Sequence, residues 1–202
     1  MTINTIFDKL KLPYPKLRSI ALWELAEARD ENTIPRLMSI LDEEDVTYRR
    51  TAVKTLGVIG ADVVPYVVDS LLNSDNPTVR SSCAKALAQV VVNHPDVAMP
   101  EEGIQGLKQA LDDPNPVVYI PAVMTLGEIG SSVFDLLVET LKTTDNPALG
   151  VTILNALGSM GDPRAAEVLR ELSQDDSADS YIQESAVSAL SRLEMVMKYN
   201  NK

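Results

Sequence analysis

The chain has 202 residues, with 29 acidic and 18 basic side chains and a formal net charge of −11, which argues against a general nucleic-acid binder because phosphates need a cationic surface. Hydrophobic residues make up 45% of it, yet only two are Phe and one is Trp, the pattern of helices packed on Leu, Val, Ile and Ala. No apolar run approaches the roughly 20 residues of a membrane span, Met1 to Asp8 has no secretory-signal pattern, and the single cysteine excludes an intramolecular disulfide and fits a reducing cytoplasm.

In chain order, residues 1–11 form a short amphipathic segment through Ile3, Ile6, Phe7 and Leu10, expected to cap the first repeat. A membrane-surface helix is the rival reading, opposed by its shortness and weak basicity. Residues 16–30 and Ile34 to Leu41 then read as an inner and an outer helix. The run Asp42-Glu43-Glu44-Asp45 suits the entry of the next helix, where carboxylates meet the positive end of its dipole. It lacks the alternation and glycine of a calcium loop. An outer helix from Pro65 to Leu72 follows, and Asn76-Pro77 opens the third repeat. Cys83 falls in a buried column as filler. After Val92 the connection is eight residues longer (39 − 31), and His94, the only histidine, is placed there on an exposed loop. One histidine and one cysteine supply neither a zinc site nor, without a fold-back over Cys83, a nucleophile–base pair.

Asp112 to Gly130 shows the unit most clearly. Asn115 is an N-cap, Pro116 fits the first helical position, and Val118, Ala122, Val123, Leu126 and Ile129 share one face. Gly130 is expected to close the helix in the left-handed conformation. The reference leucine recurs as Leu25, Leu56, Leu87, Leu126, Leu157 and Leu190, at spacings of 31, 31, 39, 31 and 33, the period of a helical solenoid. Four residues earlier stand Ala21, Ala52, Cys83, Ala122, Ile153 and Ala186, and three later Ala28, Ile59, Val90, Ile129, Met160 and Leu193. Eleven earlier stand Asp45, Asn76, Asn115, Asn146 and Asp179, all good caps, whereas the first repeat has Tyr14. The last helix, Tyr181 to Met197, runs into a polar tail from Lys198 to Lys202.

The tracts Asp75-Asn76-Pro77-Thr78-Val79-Arg80 with Ala84-Lys85-Ala86-Leu87, and Leu56-Gly57-Val58-Ile59-Gly60, resemble the short HEAT repeats of phycobilisome lyases. The resemblance spans about five and a half repeats, with the arginine seven before the leucine present as Arg18, Arg49 and Arg80 and replaced by Tyr119, Gly150 and Gln183. It implies an all-α, right-handed α-α superhelix forming one domain over residues 1–202, with 1–11 as N-terminal cap and 173–202 as C-terminal capping half-repeat. It also implies a factor in phycobiliprotein maturation, a bilin lyase subunit or chaperone-like protein, with no tightly bound cofactor and a linear tetrapyrrole handled transiently. The implied partners are a phycobiliprotein subunit and a second HEAT-repeat lyase subunit, with no nucleic acid and no membrane. The alternative is a non-enzymatic interaction scaffold, for example in cofactor assembly. No family catalytic residue maps onto the chain, as a scaffold acting by positioning would allow.

The binding surface is expected on the concave stripe six and two residues before the reference leucine, four residues apart on a helix. It carries Arg50, Lys54, Ser81 and Lys85 in repeats two and three, Ile120 and Met124 in repeat four, and Val151 and Asn155 in repeat five, with Tyr119 beside them. Exposed apolar side chains there suggest a contact surface, with Lys54 and Lys85 meeting carboxylates. The opposing expectation is that curvature or the His94 loop buries them. Pro121 is expected to distort its helix and open a shallow pocket.

Overall fold

The computed structural model describes residues 2–200; Met1 of the N-terminal segment and Asn201 and Lys202 of the expected tail lie outside the described residues. The described residues form helices α1 (Ile3–Leu10), α2 (Pro15–Ala28), α3 (Thr33–Ile40), α4 (Val46–Ile59), α5 (Val64–Asn73), α6 (Pro77–Asn93), α7 (Glu101–Ala110), α8 (Pro116–Ile129), α9 (Phe134–Thr143), α10 (Pro147–Ser159), α11 (Ala165–Ser173) and α12 (Ser180–Asn200), with no strand among them. The fold is an all-α stack of helical hairpins. It divides into two compact units, Met1–Ala122 and Val123–Lys202, the division falling within α8. No single described helix is long and apolar enough to cross a membrane; two bent helix pairs meet the length and composition required together.

In the first unit α2, α4 and α6 pack side by side as an inner layer, and α3, α5 and α7 as an outer one. The inner helices start where a short polar side chain captures the free amides of the first turn. Asp45 accepts from Thr47 and Tyr48, Asn76 from Thr78 and Asn115 from Val117, while Tyr14 makes no such bond. The acidic run before α4 is accounted for in part by its own neighbours, since Asp42 accepts from the Asn76 amide at 2.5 Å. Leu25, Leu56 and Leu87 are fully buried, as are Ala21, Ala52 and Cys83 one turn earlier.

The arginine column has a structural use. Arg18, Arg49 and Arg80 each donate to the carbonyl six residues behind, on Leu12, Glu43 and Ser74, so each side chain fastens the turn that leads into its own helix. In the second unit Gln183 of α12 donates to the carbonyl of Asp175, eight residues behind.

Helix α1 buries Ile6, Phe7 and Leu10, with the Arg36 guanidinium 3.8 Å from the Phe7 ring centroid and Lys9 paired to Glu24 of α2 at 2.8 Å. Its apolar face is therefore committed to the protein interior, which opposes the membrane-surface reading.

The close of α8 differs from expectation, and α4 closes in the same way. Gly60 and Gly130 close α4 and α8 at φ 90°, ψ −147° and φ 84°, ψ −147°. This is not the left-handed helical well but a region that essentially glycine alone enters, and it turns the chain directly into a 3-10 turn over Ala61–Val63 or Ser131–Val133. The eight-residue extension also begins inside α6, which reaches Asn93 and is 17 residues long against 14 for α4. His94 is not on a free loop: Nε2 donates to the Val58 carbonyl at 3.1 Å, and the ring lies against Gly60. The connection folds back because the carbonyls at a helix end lack intrahelical partners and accept a donor from elsewhere.

In the second unit Asn146 accepts from Ala148 and Leu149, and Asp179 from Tyr181. Helix α12 packs on both α10 and α11, burying Ala186, Ala189 and Leu193. The last reference leucine, Leu190, is only half-buried.

Candidate functional site

Of the side chains expected to form a binding face, four in the first unit, Arg50, Lys54, Ser81 and Lys85, converge on one groove of about 450 Å³ between α4 and α6. Arg50 and Lys54 of α4 and Lys85 of α6 line it, with Arg49 alongside. Ser81, four residues before Lys85, accepts a hydrogen bond from Nζ at 2.9 Å. Val53 and the exposed Val46 and Val117, the latter on the first turn of α8, add apolar surface, and the polar Thr78, Ser82 and Gln89 complete the lining. None of Arg49, Arg50, Lys54 and Lys85 forms an ion pair among the described residues, although other cations of the chain do so with Glu24, Asp62, Asp113, Asp135 and Asp162. Burial, and then the charges of Arg50 and Arg49, hold the Lys85 ammonium below the ordinary lysine range.

Ile120 and Met124 of α8 are exposed, at 38% and 62%, so neither curvature nor the His94 connection covers them. Pro121 lies between them in sequence, buried within a helix that continues through it to Ile129. In the second unit Val151 is half-buried and Asn155 exposed, and the Asn155 side-chain oxygen accepts from Arg192 at 3.1 Å.

Tyr119 is a correction. It is only 5% exposed and cannot present a contact surface beside Ile120. Its column is the arginine column, which points back under the entry turn and not along the stripe; successive helical positions differ by about 100°. Trp23, two residues before Leu25 and therefore on the same stripe, is 52% exposed and absent from the expected set. Counting the same offset in repeat one would have found it. Val46, Val53 and Val117 were legible only once the facing of α4, α6 and α8 was known.

Cys83 is fully buried, and burial pushes its thiol up to about 12. Since the thiolate is the reactive form, maleimide at pH 8 should label the folded protein only as fast as it unfolds. Stoichiometric labelling within seconds in native buffer would show instead that the thiol is reachable.

The class of protein follows from the repeats: residues 3–88 and 104–191 match the HEAT-repeat family. Two relatives narrow it. The uncharacterized phycocyanin operon protein Z of Pseudanabaena tenuis (strain PCC 7409) is 58% identical over 97% of both chains. The bilin biosynthesis protein CpeZ of Synechococcus sp. (strain WH8020) is 36% identical, covering 83% of this chain and 93% of its own. The chain belongs to the phycobilin-lyase-type HEAT-repeat family. The same architecture occurs in the CpcE–CpcF complex of the phycocyanin lyase from Nostoc sp. PCC7120, at 20% identity and a TM-score of 0.51 over 76% of this chain and 96% of that one.

Proposed function

We propose that this protein serves in phycobiliprotein maturation, as a bilin lyase subunit or a chaperone-like factor for chromophore attachment. The observation that carries the reading is the 58% identity, over nearly the whole of both chains, to a phycocyanin operon protein. The 36% identity to a bilin biosynthesis protein points the same way. The chemistry is compatible with a scaffold. Addition of a cysteine thiol to a bilin gains rate and selectivity when both are held in reacting geometry. Cys83, buried and with a raised pKa, is unsuited to carry the bilin covalently itself. The partners are a phycobiliprotein subunit, which supplies the acceptor cysteine, and a second HEAT-repeat protein, as in the two-protein phycocyanin lyase complex that shares the fold.

Co-expression with a bilin synthesis pathway, phycobiliprotein subunits and candidate second HEAT proteins tests this. Covalent chromophore yield on at least one subunit should rise when the protein is present. An unchanged yield across all subunits and partners rejects the reading.

A further inference from the structure

The geometry points to a site for a dicarboxylate with a long apolar body in the groove between α4 and α6, held by Arg50, Lys54 and Lys85. Linear tetrapyrroles with two propionate arms belong to this ligand class. The inference rests on the maturation reading above and adds to it which groups of the ligand dock and on which residues.

Charge is the first argument. In a chain with 29 acidic residues and 18 basic ones, four cations line one groove without an ion pair among the described residues. Like charges held this close repel one another, and the Lys85 ammonium is held below the ordinary lysine range first by burial and then by the Arg50 and Arg49 charges. An arriving anion removes the repulsion and gains charge-assisted hydrogen bonds.

Shape is the second. Arg50 and Lys54 are one helical turn apart on α4, as are Ser81 and Lys85 on α6, so both helices present a polar row to the groove. Two separate cationic positions on facing helices suit two carboxylates on flexible arms. Val46, Val53 and Val117 supply an apolar surface that a small inorganic anion would not use. The volume, about 450 Å³, is within the range of small-molecule sites, roughly 300–1,000 Å³.

Biliverdin, which carries two propionates, is the probe, and its dimethyl ester the control, both titrated into the purified full-length protein by absorbance and induced circular dichroism. The acid should bind roughly tenfold or more tightly than the ester, because each lost carboxylate removes a charge-assisted contact. The charge reversal K54E/K85E should abolish the induced signal while far-ultraviolet circular dichroism is retained. Should that variant fold poorly, K54M/K85M, at the same exposed positions, should weaken binding of the acid and leave that of the ester unchanged. Equal affinity for acid and ester, or full binding by a folded lysine variant, overturns the site. An acidic peptide that binds through Lys54 and Lys85 where biliverdin does not also overturns it, and makes the groove a protein contact. These outcomes are separate from those of co-expression. Protein-dependent chromophore yield that persists in K54E/K85E removes the site but not the function, whereas Lys54-dependent biliverdin binding without any effect on yield removes the function but not the site.

Discussion

Replacing Gly57 by alanine should lower the melting temperature by about 4–8 °C. Gly57 follows the reference leucine of α4, and a Cβ there would lie 2.1 Å from the Cβ of Gln89 and 2.8 Å from its backbone carbon. The obstacle is the root of a side chain and a helix backbone, so relief requires α4 and α6 to separate. Overpacking of this kind costs roughly 1–3 kcal/mol or more, and the better helix propensity of alanine returns about 1 kcal/mol. An approach as close as 2.1 Å puts the cost at the upper end of that range, so the net loss is about 2 kcal/mol, at roughly 2–4 °C per kcal/mol for a chain of this size. Gly127 holds the equivalent place in α8, but a Cβ there meets only the Ala156 Cβ at 3.2 Å and its Cα at 3.7 Å. Gly127→Ala should therefore be close to neutral. Thermal melts of the two variants decide the matter: a Gly57→Ala protein as stable as wild type would show that the interhelical contact yields without cost.

The Arg80–Asp113 pair is the second position with a large expected effect. Nε donates to Oδ2 at 2.6 Å and Nη2 to Oδ1 at 3.1 Å, while Nη1 holds the Ser74 carbonyl at 2.8 Å. The side chains are 15% and 9% exposed, so removing either leaves a poorly solvated charge. Arg80→Met or Asp113→Ala should each cost about 3 kcal/mol, and the double variant should cost less than their sum. The pair also sets an acid dependence. Burial raises the Asp113 pKa, but the Arg80 hydrogen bonds, the Asn115 amide and the Arg80 charge outweigh it and hold the carboxyl below its usual range. A group depressed on folding stabilises fully above its unfolded value, about 3.9, and that contribution is lost as pH falls through the lower folded value. Urea midpoints should therefore drop more steeply below about pH 4 in wild type than in Asp113→Asn. Identical acid limbs in the two proteins would remove Asp113 from the account.

What could be read from the sequence was what depends on neighbours along the chain. Asp45, Asn76, Asn115, Asn146 and Asp179 act within three residues of themselves, and all five cap as expected. The leucine and alanine columns are periodic and mostly buried for that reason. The Gly57–Gln89 approach needs the sliding register of α4 against α6, which periodicity does not contain. His94 could not be placed because its partner, the Val58 carbonyl, is 36 residues away and belongs to a backbone group that any residue type would offer. Tyr119 was misplaced because one helical position decides between the stripe and the turn beneath it. The charged character of Arg50, Lys54 and Lys85 was legible. That they form no ion pair among the described residues became visible only with the surroundings of the groove.

The arginine-to-carbonyl fastenings bear on the order in which the chain assembles. Each spans six residues, so closing it requires little loss of loop entropy and no neighbouring repeat. Contacts of such short sequence separation form early and favour fast folding, and in repeat arrays a formed unit templates the next through its interface. The fourth and fifth repeats have Tyr119 and Gly150 in the same column and have no arginine to fasten their turns. Nucleation is thereby biased toward the first three repeats, which leave the ribosome before the later ones.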